Sequence, residues 1–299
     1  MTILTASTNN SAGNSQAGTA PLENSDEQRY VRQEMLAGYE QSVEILSTKK
    51  VGLIGVGGLG GLCSLLLSNA GVGCLRLADG DSVAWHNLHR QLLFTEQDAT
   101  TGELKVMGAC RELERRNHHT KIEAFKTKIT AENFADFADG LDLILDVSDD
   151  AKSREVLAQQ ALEHGKDLLS GAVSAYTALL AVFRFSCPNF VRQYGCYHCL
   201  THGADINTKV GITGPIAASA SSLVAHVALE YLLGHEPLTG QLLRYDFRRL
   251  NLQHLRLTPD PDCQCCRSLH ADAGADAEAA GADAEAADAD AADADGNAH

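Results

Sequence analysis

The sequence predicts an α/β fold, built on a doubly wound and mostly parallel β-sheet that continues into an antiparallel extension. Three observations support this prediction. Apolar runs of strand length alternate with helical patterns through the first half of the 299-residue chain. One of these runs leads directly into the glycine-rich turn Gly55-Val-Gly-Gly-Leu-Gly60. Two Cys-x-x-Cys pairs, about sixty residues apart, occur in the second half, where they would close a four-cysteine zinc clip.

The apolar periodicity assigns each element in turn. We predict strands at residues 51–54, 74–78, 121–126, 141–146, 167–170, 179–185, 242–245 and 250–257. We predict helices at residues 26–47, 59–70, 102–117, 132–138, 152–164 and 216–233, and a loop at 201–214. Helices separate the early strands, which favours parallel pairing, and they are scarce among the late strands, which favours antiparallel pairing.

Two end segments differ from the rest in composition. Residues 1–25 consist mainly of Ser, Asn, Thr, Ala and Gly, and residues 271–299 repeat Ala with Asp or Glu. Neither segment has enough apolar side chains to offset the entropy lost on folding, so we expect both to be disordered. Residues 26–270 are therefore expected to form one domain.

The net charge of −15 comes largely from the acidic tail, which contains nine Asp or Glu and no Lys or Arg. Without the tail the net charge is about −6, and the simplest role for the tail is to increase solubility. No basic patch indicates a nucleic-acid partner. No apolar stretch has the length of a membrane span and no signal-peptide pattern is present, so we expect a cytoplasmic protein without a membrane partner. The nine cysteines are then expected to be reduced or metal-bound.

The glycine-rich turn Gly55-x-Gly57-x-x-Gly60 follows the first predicted strand and opens a helix. Glycines there permit a tight turn and close approach of a phosphate, and the helix N-terminus favours anions. Asp79 ends the next strand, nineteen residues after Gly60, where a carboxylate can accept hydrogen bonds from ribose hydroxyls. The pattern predicts a Rossmann-like nucleotide site that includes Gly58. By itself it does not distinguish NAD from ATP, and a turn that only packs a helix on the sheet is the alternative.

Charged and amide side chains follow Asp79 along the chain. They are Asp81, Asn87, Arg90 and, on the next helix, Lys105. Amide and guanidinium groups close to a ribose site suit a phosphate chain whose charge rises during nucleotidyl transfer, which argues against a dehydrogenase. A solvated surface cation is the alternative interpretation of Lys105.

Two adjacent carboxylates, Asp149 and Asp150, follow a strongly apolar predicted strand. Ligands of open α/β sheets bind at the carboxyl ends of the strands, so Asp149 could hold a magnesium ion. Either residue could instead cap the helix that follows. The local sequence favours neither interpretation over the other.

The cysteine pairs Cys196/Cys199 and Cys263/Cys266 provide four thiolates, the ligand set of a closed structural zinc site. Cys265 is then left over. A redox role is less favoured, because neither pair opens a helix directly after a strand. Chance clustering in a cysteine-rich chain is the other alternative.

Several motifs follow one another in order along residues 28–267. They are Arg29-Tyr-Val-Arg32-Gln33, the turn at 55–61, Ala78-Asp79-Gly-Asp81, Asn87-Leu-His-Arg90-Gln91, Leu145-Asp146-Val-Ser-Asp149 with Arg154, Ser170-Gly171-Ala172, Cys196-Tyr-His-Cys199-Leu200 and the final Cys263/Cys266 pair. In this order they resemble the MoeB/ThiF/HesA family, the bacterial relatives of ubiquitin-activating enzymes.

The resemblance implies the ubiquitin-activating-enzyme adenylation fold and a homodimer that uses ATP and magnesium. Such enzymes adenylate the C-terminal glycine of a small ubiquitin-like sulfur carrier protein for molybdopterin or thiazole synthesis, and a sulfur donor is a further candidate partner. By position in the family pattern, Asp79 would bind the ribose, and Asp149 would bind the magnesium. The triphosphate would be held by Asn87, Arg90 and Lys105. Arg32 would reach the phosphates in the partner subunit's site, and the carrier tail would pass under the loop at 201–214.

The sequence departs from the family pattern at four places. Asn207 stands where many relatives have a crossover-loop cysteine, so adenylation is expected without a thioester or persulfide on that loop. Ala178-Leu179 replaces the usual Gly-Gln, His86 and His89 replace Ser and Gln, and Asp150 replaces Asn. These changes keep two alternatives open: another carboxylate as acceptor, such as a peptide, and a non-catalytic scaffold. An NAD-dependent oxidoreductase is a third alternative, independent of these changes.

Overall fold

The computed structural model of the protein describes residues 26–204 and 210–269. The two end segments for which we predicted disorder lie outside the described residues, and so does Asn207 at the centre of the predicted crossover loop.

Eight strands form one sheet in the order β3-β2-β1-β4-β5-β6-β7-β8. The strands are β1 Lys50–Ile54, β2 Cys74–Ala78, β3 Lys121–Phe125, β4 Leu143–Asp146, β5 Leu168–Ser174, β6 Thr177–Phe183, β7 Gln241–Asp246 and β8 Asn251–Arg256. Strands β1 to β5 pair in parallel, and β5 to β8 pair in antiparallel fashion. The predicted parallel sheet with an antiparallel extension is therefore confirmed.

Helices cover both faces of this sheet. They are α1 Val31–Glu34, α2 Ser42–Ser47, α3 Gly60–Asn69, α4 Glu96–Thr101, α5 Lys105–Arg116, α6 Phe134–Ala138, α7 Ala151–Glu163, α8 Pro188–Tyr194, α9 Tyr197–Thr201 and α10 Gly214–Leu232, with 3-10 turns at Asp26–Arg29 and Trp85–Asn87. No helix among the described residues combines the length and the apolar character needed to cross a membrane.

The prediction of a single helix at 26–47 is wrong. The structure divides this segment into a 3-10 turn, α1 and α2, and Gly38 between the last two adopts a left-handed φ of +86° that interrupts a right-handed helix. Helix α4 was not predicted, although its capping box was visible in the sequence as Thr95 followed three residues later by Asp98.

Two hydrophobic layers enclose the sheet. One lies between the sheet and α3, α5 and α10, and the other packs α6, α7 and α8 against the opposite face. The second layer contains three phenylalanines that are completely buried, Phe134, Phe137 and Phe183. Truncation of one such ring to alanine typically costs about 3–5 kcal/mol, so these rings fix the sheet against its helices.

The carboxyl ends of β1, β2 and β4 meet at one edge of the sheet. Ile54 at the end of β1 is paired with Ala78 at the end of β2 and with Asp146 at the end of β4. The chain leaves all three strands at the same level, so the glycine turn, Asp79 and the Asp149 segment become neighbours in space.

Candidate nucleotide site and metal centre

The glycine turn between β1 and α3 accommodates no side chain at its two ends. Gly55 has φ of +94°, and a Cβ atom at Gly60 would lie 1.9 Å from the Gly55 carbonyl oxygen. Between them, the Val56 N–H donates to Asp79 Oδ2 at 2.9 Å. The turn is therefore tied to the end of β2, as the predicted nucleotide site requires.

Lys105, at the start of α5, lies between two carboxylates. Its Nζ is 3.5 Å from Asp79 Oδ2 and 3.1 Å from Asp81 Oδ2, and the residue is only 7% exposed. Burial alone would raise the pKa of Asp81, but the hydrogen bond and charge of Lys105, with the charge of Lys128, hold that pKa below its usual value. Lys105 is thus a buried, paired cation, and the alternative of a solvated surface lysine is wrong.

We expect Lys105→Met to lower the free energy of unfolding by about 3 kcal/mol near neutral pH, because it leaves the buried Asp79 without its cation. The Asp81 carboxyl group, whose pKa Lys105 helps to hold below its usual value, contributes stability above its unfolded pKa of about 3.9 and loses it as the pH falls. The difference in the free energy of unfolding between Lys105→Met and wild type should therefore be smaller at about pH 3 than near neutral pH. Denaturant unfolding at both pH values measures this difference, and Lys126→Met, which removes an exposed lysine without an ion pair to the described residues, is the control. A gap that does not depend on pH would contradict the pairing.

The 3-10 turn Trp85–Asn87 and the residues after it lie beside the glycine turn. Arg90 Nη2 donates to Asn87 Oδ1 at 2.7 Å, and the stem of Arg90 passes 3.5 Å from where a Cβ atom of Gly58 would be. Among the described residues, the guanidinium of Arg90 has no carboxylate partner. Its full positive charge is therefore free for an anionic ligand at the turn.

Gln91 was quoted in the sequence motif but received no role there. It is 5% exposed, and its Oε1 has no hydrogen-bond partner among the described residues. Its Nε2 lies 3.4 Å from where a Cβ atom of Gly57 would be. A buried side-chain amide with an unpaired oxygen indicates a polar contact at the turn. The sequence could not predict this contact, because the burial of Gln91 is visible only in the structure.

The structure separates the functions of the two adjacent carboxylates after β4. Asp150 is the N-cap of α7, and its Oδ2 accepts from the Ser153 N–H at 2.8 Å. Asp149 is exposed and makes no hydrogen bond or ion pair within residues 26–204 and 210–269. Because the cap is already provided, the Asp149 carboxylate remains available as a ligand. One exposed carboxylate close to a phosphate site matches the donor set that magnesium uses.

Arg154 on α7 holds the segment between β4 and α7 in place. It is 5% exposed and donates from Nε to the Ser148 carbonyl at 3.0 Å, from Nη1 to Ser170 Oγ at 3.1 Å and from Nη2 to the Gly171 carbonyl at 2.6 Å. These bonds join the segment after β4 to the middle of β5, so Arg154 is a positioning residue for the Asp149 segment.

Arg32 is exposed on α1, and the structure does not bring it into contact with any of the other predicted site residues. The predicted magnesium, triphosphate and ribose residues thus come together in one chain, whereas Arg32 does not join them.

The four predicted zinc ligands form one buried cluster. Their sulfur atoms all lie within 4.8 Å of one another, with 3.6 Å between Cys196 and Cys263 and 3.5 Å between Cys199 and Cys266. Four thiolates at about 2.3 Å from a tetrahedral zinc ion are about 3.8 Å apart, so the cluster has the size of a zinc site. Hydrogen bonds from Cys196 and Cys266 lower the pKa of Cys199, which favours a thiolate. Cys265 is not a member of the cluster, although its thiol contacts Cys263, and it stays partly exposed.

Local geometry brings the first cysteine pair together. Cys196 is the N-cap of α9, and Gly195 before it adopts φ of +78°, where a Cβ atom would be 2.9 Å from Cys199 Sγ. The Asp260 N–H, from the segment that leads to the second pair, donates to Cys199 Sγ at 3.4 Å. The cluster therefore joins α9 to residues that are distant in the sequence.

Residues 30–266 match the ThiF family. The chain belongs to this family. The sulfur carrier protein adenylyltransferase of Thermus thermophilus is 34% identical over 80% of this chain and 90% of that protein. The molybdopterin-synthase adenylyltransferase of Escherichia coli is 32% identical over 83% of this chain and 99% of that protein. The predicted resemblance is confirmed, and the relatives of this ThiF-family chain are named adenylyltransferases.

Solved structures show the same fold. Escherichia coli MccB with ATP superposes on this ThiF-family chain with a TM-score of 0.69 at 20% identity, over 81% of this chain and 75% of MccB. MccB with the peptide MccA-N7isoASN gives a TM-score of 0.69 at 21% identity, over 82% of this chain. At this identity the comparison establishes the architecture, while the acceptor has to be inferred from other observations.

Proposed function

We propose that this chain is an ATP-dependent adenylyltransferase that activates the C-terminal glycine carboxylate of a ubiquitin-like sulfur carrier protein. The observation that carries the proposal is the meeting of the glycine turn, Asp79, Lys105, Arg90 and Asp149 at one edge of the sheet. Relatives with 34% and 32% identity are named for this reaction on a sulfur carrier protein and on molybdopterin synthase. Residues 26–270 constitute the adenylation domain in this proposal.

The reaction needs little beyond positioning and charge. A carrier carboxylate oxygen attacks the α-phosphorus of ATP, the bond from that phosphorus to the bridging oxygen breaks, and pyrophosphate leaves with the electron pair. The nucleophile is already ionised near neutral pH, so no general base is required. What the protein must supply is in-line geometry and stabilisation of the charge that develops on the phosphate oxygens.

The geometry suggests that Lys105 and Arg90 have different roles. Lys105 is flanked by Asp79 and Asp81, which offset much of its charge, so its main effect is to hold the ribose-side carboxylate in place. Arg90 contacts the Asn87 amide oxygen, the His86 backbone carbonyl and, at 3.5 Å, His89 Nε2, none of them a carboxylate, so it can direct its charge to the phosphates. We therefore assign transition-state charge stabilisation mainly to Arg90.

Two metals complete the proposal. Asp149 would hold magnesium, which supplies positive charge to the phosphate oxygens. Cys196, Cys199, Cys263 and Cys266 would hold a structural zinc ion. A cytoplasmic location is part of the same proposal, and it agrees with nine free cysteines, because thiols stay reduced there.

The acceptor is tested by ATP–pyrophosphate exchange with the purified full-length chain. The assay is run with each small Gly-Gly-ending carrier of the molybdopterin and thiazole types, and with a short carboxylate peptide as comparison. Exchange that depends on one carrier is expected, and it would name the pathway. Exchange with the peptide alone would replace the carrier by another carboxylate, and no exchange with any acceptor, in a folded and zinc-loaded protein, would indicate a scaffold.

We also propose a homodimer in which Arg32 reaches the partner's phosphates, since Arg32 is exposed and does not contact its own chain's site. Arg32→Ala and Asp149→Asn should each be inactive alone. Mixed and allowed to exchange subunits, they should regain about a quarter of wild-type activity, because half of the dimers then contain one intact site. Failure to recover activity, while native mass spectrometry shows mixed dimers, would place Arg32 in its own chain's site, and full activity of Arg32→Ala alone would place it outside the reaction.

A further inference from the structure

Strands β7 and β8 with the turn between them form an exposed hairpin at the sheet edge, the arginine hairpin (residues 241–256). β8 is the edge strand, and all six of its residues are exposed. Four arginines belong to this hairpin, and only one acidic residue, Asp246, lies among them. The four are Arg244, Arg248, Arg249 and Arg256.

None of these four arginines makes an ion pair with the described part of the chain. Arg244 Nη1 donates to Gln253 Oε1 at 3.0 Å, and Arg248 lies over the Tyr176 ring at 4.3 Å. The carboxylate of Asp246 is already used, because its Oδ1 accepts the backbone N–H groups of Arg248 and Arg249. Four guanidinium groups therefore share one carboxylate, and the hairpin carries an excess of positive charge.

Apolar side chains lie among these cations. Leu250 is 74% exposed, Leu252 46% and Leu255 45%. A surface with both features suits an occupant that has many carboxylates and small apolar groups.

We propose that the occupant is the acidic segment 270–299 of the same chain. This segment has nine Asp or Glu, no Lys or Arg, and alanine at most other positions. Its carboxylates would pair with the arginines, and its methyl groups would lie against the exposed leucines. The charge that the hairpin lacks is thus present in the part of the chain that the proposed reaction does not use.

The segment starts close to the base of the hairpin, because Leu269 contacts Arg192 on α8, and Tyr194 on the same helix lies 2.2 Å from where a Cβ atom of Gly240, just before β7, would be. The structure is described up to Leu269, whose carbonyl accepts from Arg192 Nε at 3.0 Å. A flexible chain of thirty residues has a root-mean-square length of roughly 30 Å, and a six-residue strand is about 20 Å long. A tethered segment of matching length is present at an effective concentration of about millimolar, which favours it over an acidic partner at micromolar concentration.

Hydrogen–deuterium exchange of the full-length chain tests this proposal. Wild type is compared with a variant in which all nine acidic residues of 271–299 become Asn or Gln, and with the double variant Arg248→Gln, Arg249→Gln. We expect the amides of residues 241–256 to exchange about fivefold faster in both variants, and faster in wild type at about 1 M salt, where charges are screened within about 3 Å. The control is Arg115→Gln, Arg116→Gln on α5, which should leave the hairpin unchanged, and thermal unfolding checks the fold of each variant.

Equal exchange of the hairpin in wild type and in the neutralised-tail variant would overturn the proposal. The proposal would also be overturned if the acidic tail protected the amides of a surface other than residues 241–256. A dilution series separates the same chain from a second copy. Protection that is constant on dilution supports docking within one chain, and protection that disappears on dilution contradicts it.

Discussion

Asp149→Asn is expected to lower carrier-dependent ATP–pyrophosphate exchange by about 10²–10³-fold, the loss that follows removal of one strong electrostatic contact to a transition state. The stability of the protein should not change, because Asp149 is exposed and makes no hydrogen bond or ion pair within the described residues. Exchange assays and thermal unfolding of the same preparation measure both quantities.

The adjacent Asp150 is the matched control. Asp150→Ala removes the N-cap of α7 and should lower the free energy of unfolding by about 1 kcal/mol while exchange activity stays close to wild type. The two variants are thus expected to show opposite patterns. If Asp149→Asn kept full activity, magnesium would be held elsewhere and the chemical assignment of this carboxylate would be wrong.

Cys199→Ser should remove zinc and strongly destabilise the protein. A serine hydroxyl is a poor substitute for a thiolate at a closed four-sulfur site. Cys199 is a member of this site, with its Sγ 3.5 Å from Cys266 Sγ. Loss of a structural metal belongs to the few mechanisms that cost more than about 4–5 kcal/mol in a single substitution. Metal analysis of the purified protein should show less than about one tenth of the wild-type zinc content.

Cys265→Ser is the control for this variant. Cys265 is next to a ligand in the sequence but lies outside the sulfur cluster, so zinc content and stability should be unchanged. The four-thiolate assignment fails if Cys199→Ser retains zinc. It also fails if the two serine variants lose equal amounts of metal, since that would make Cys265 a ligand.

The nucleotide site could be predicted from the sequence because its signals are local. The turn from Gly55 to Gly60 requires glycine for steric reasons, and Asp79 follows the next apolar run at the spacing of a βαβ unit. The carboxyl ends of neighbouring parallel strands necessarily meet at one edge. The presence of Lys105 and Asp149 near this turn could therefore be predicted without coordinates.

Other features depend on tertiary contacts, so the sequence could not resolve them. The choice between Asp149 and Asp150 as helix cap depended on one hydrogen bond to Ser153. The burial of Lys105 is visible only when β2 and α5 are packed together. Helices α8 and α9 have seven and five residues, too few for an apolar period to emerge, and the metal cluster and the second hydrophobic layer hold them in place.

The four-cysteine cluster, as the proposed zinc site, imposes an order on assembly during synthesis. Cys263 follows Cys196 by 67 residues, so a ribosome adding about 5–20 residues per second produces the second cysteine pair about 3–13 s after the first. All five parallel strands have been made by then, and the nucleotide edge can form before the metal is bound. Until residue 263 emerges, the nascent chain has only two of the four cysteines. When zinc is scarce, chains should therefore accumulate in which the edge at β1, β2 and β4 has folded but the C-terminal cysteine pair is not bound to α9. We expect proteases to cleave these chains first near α9.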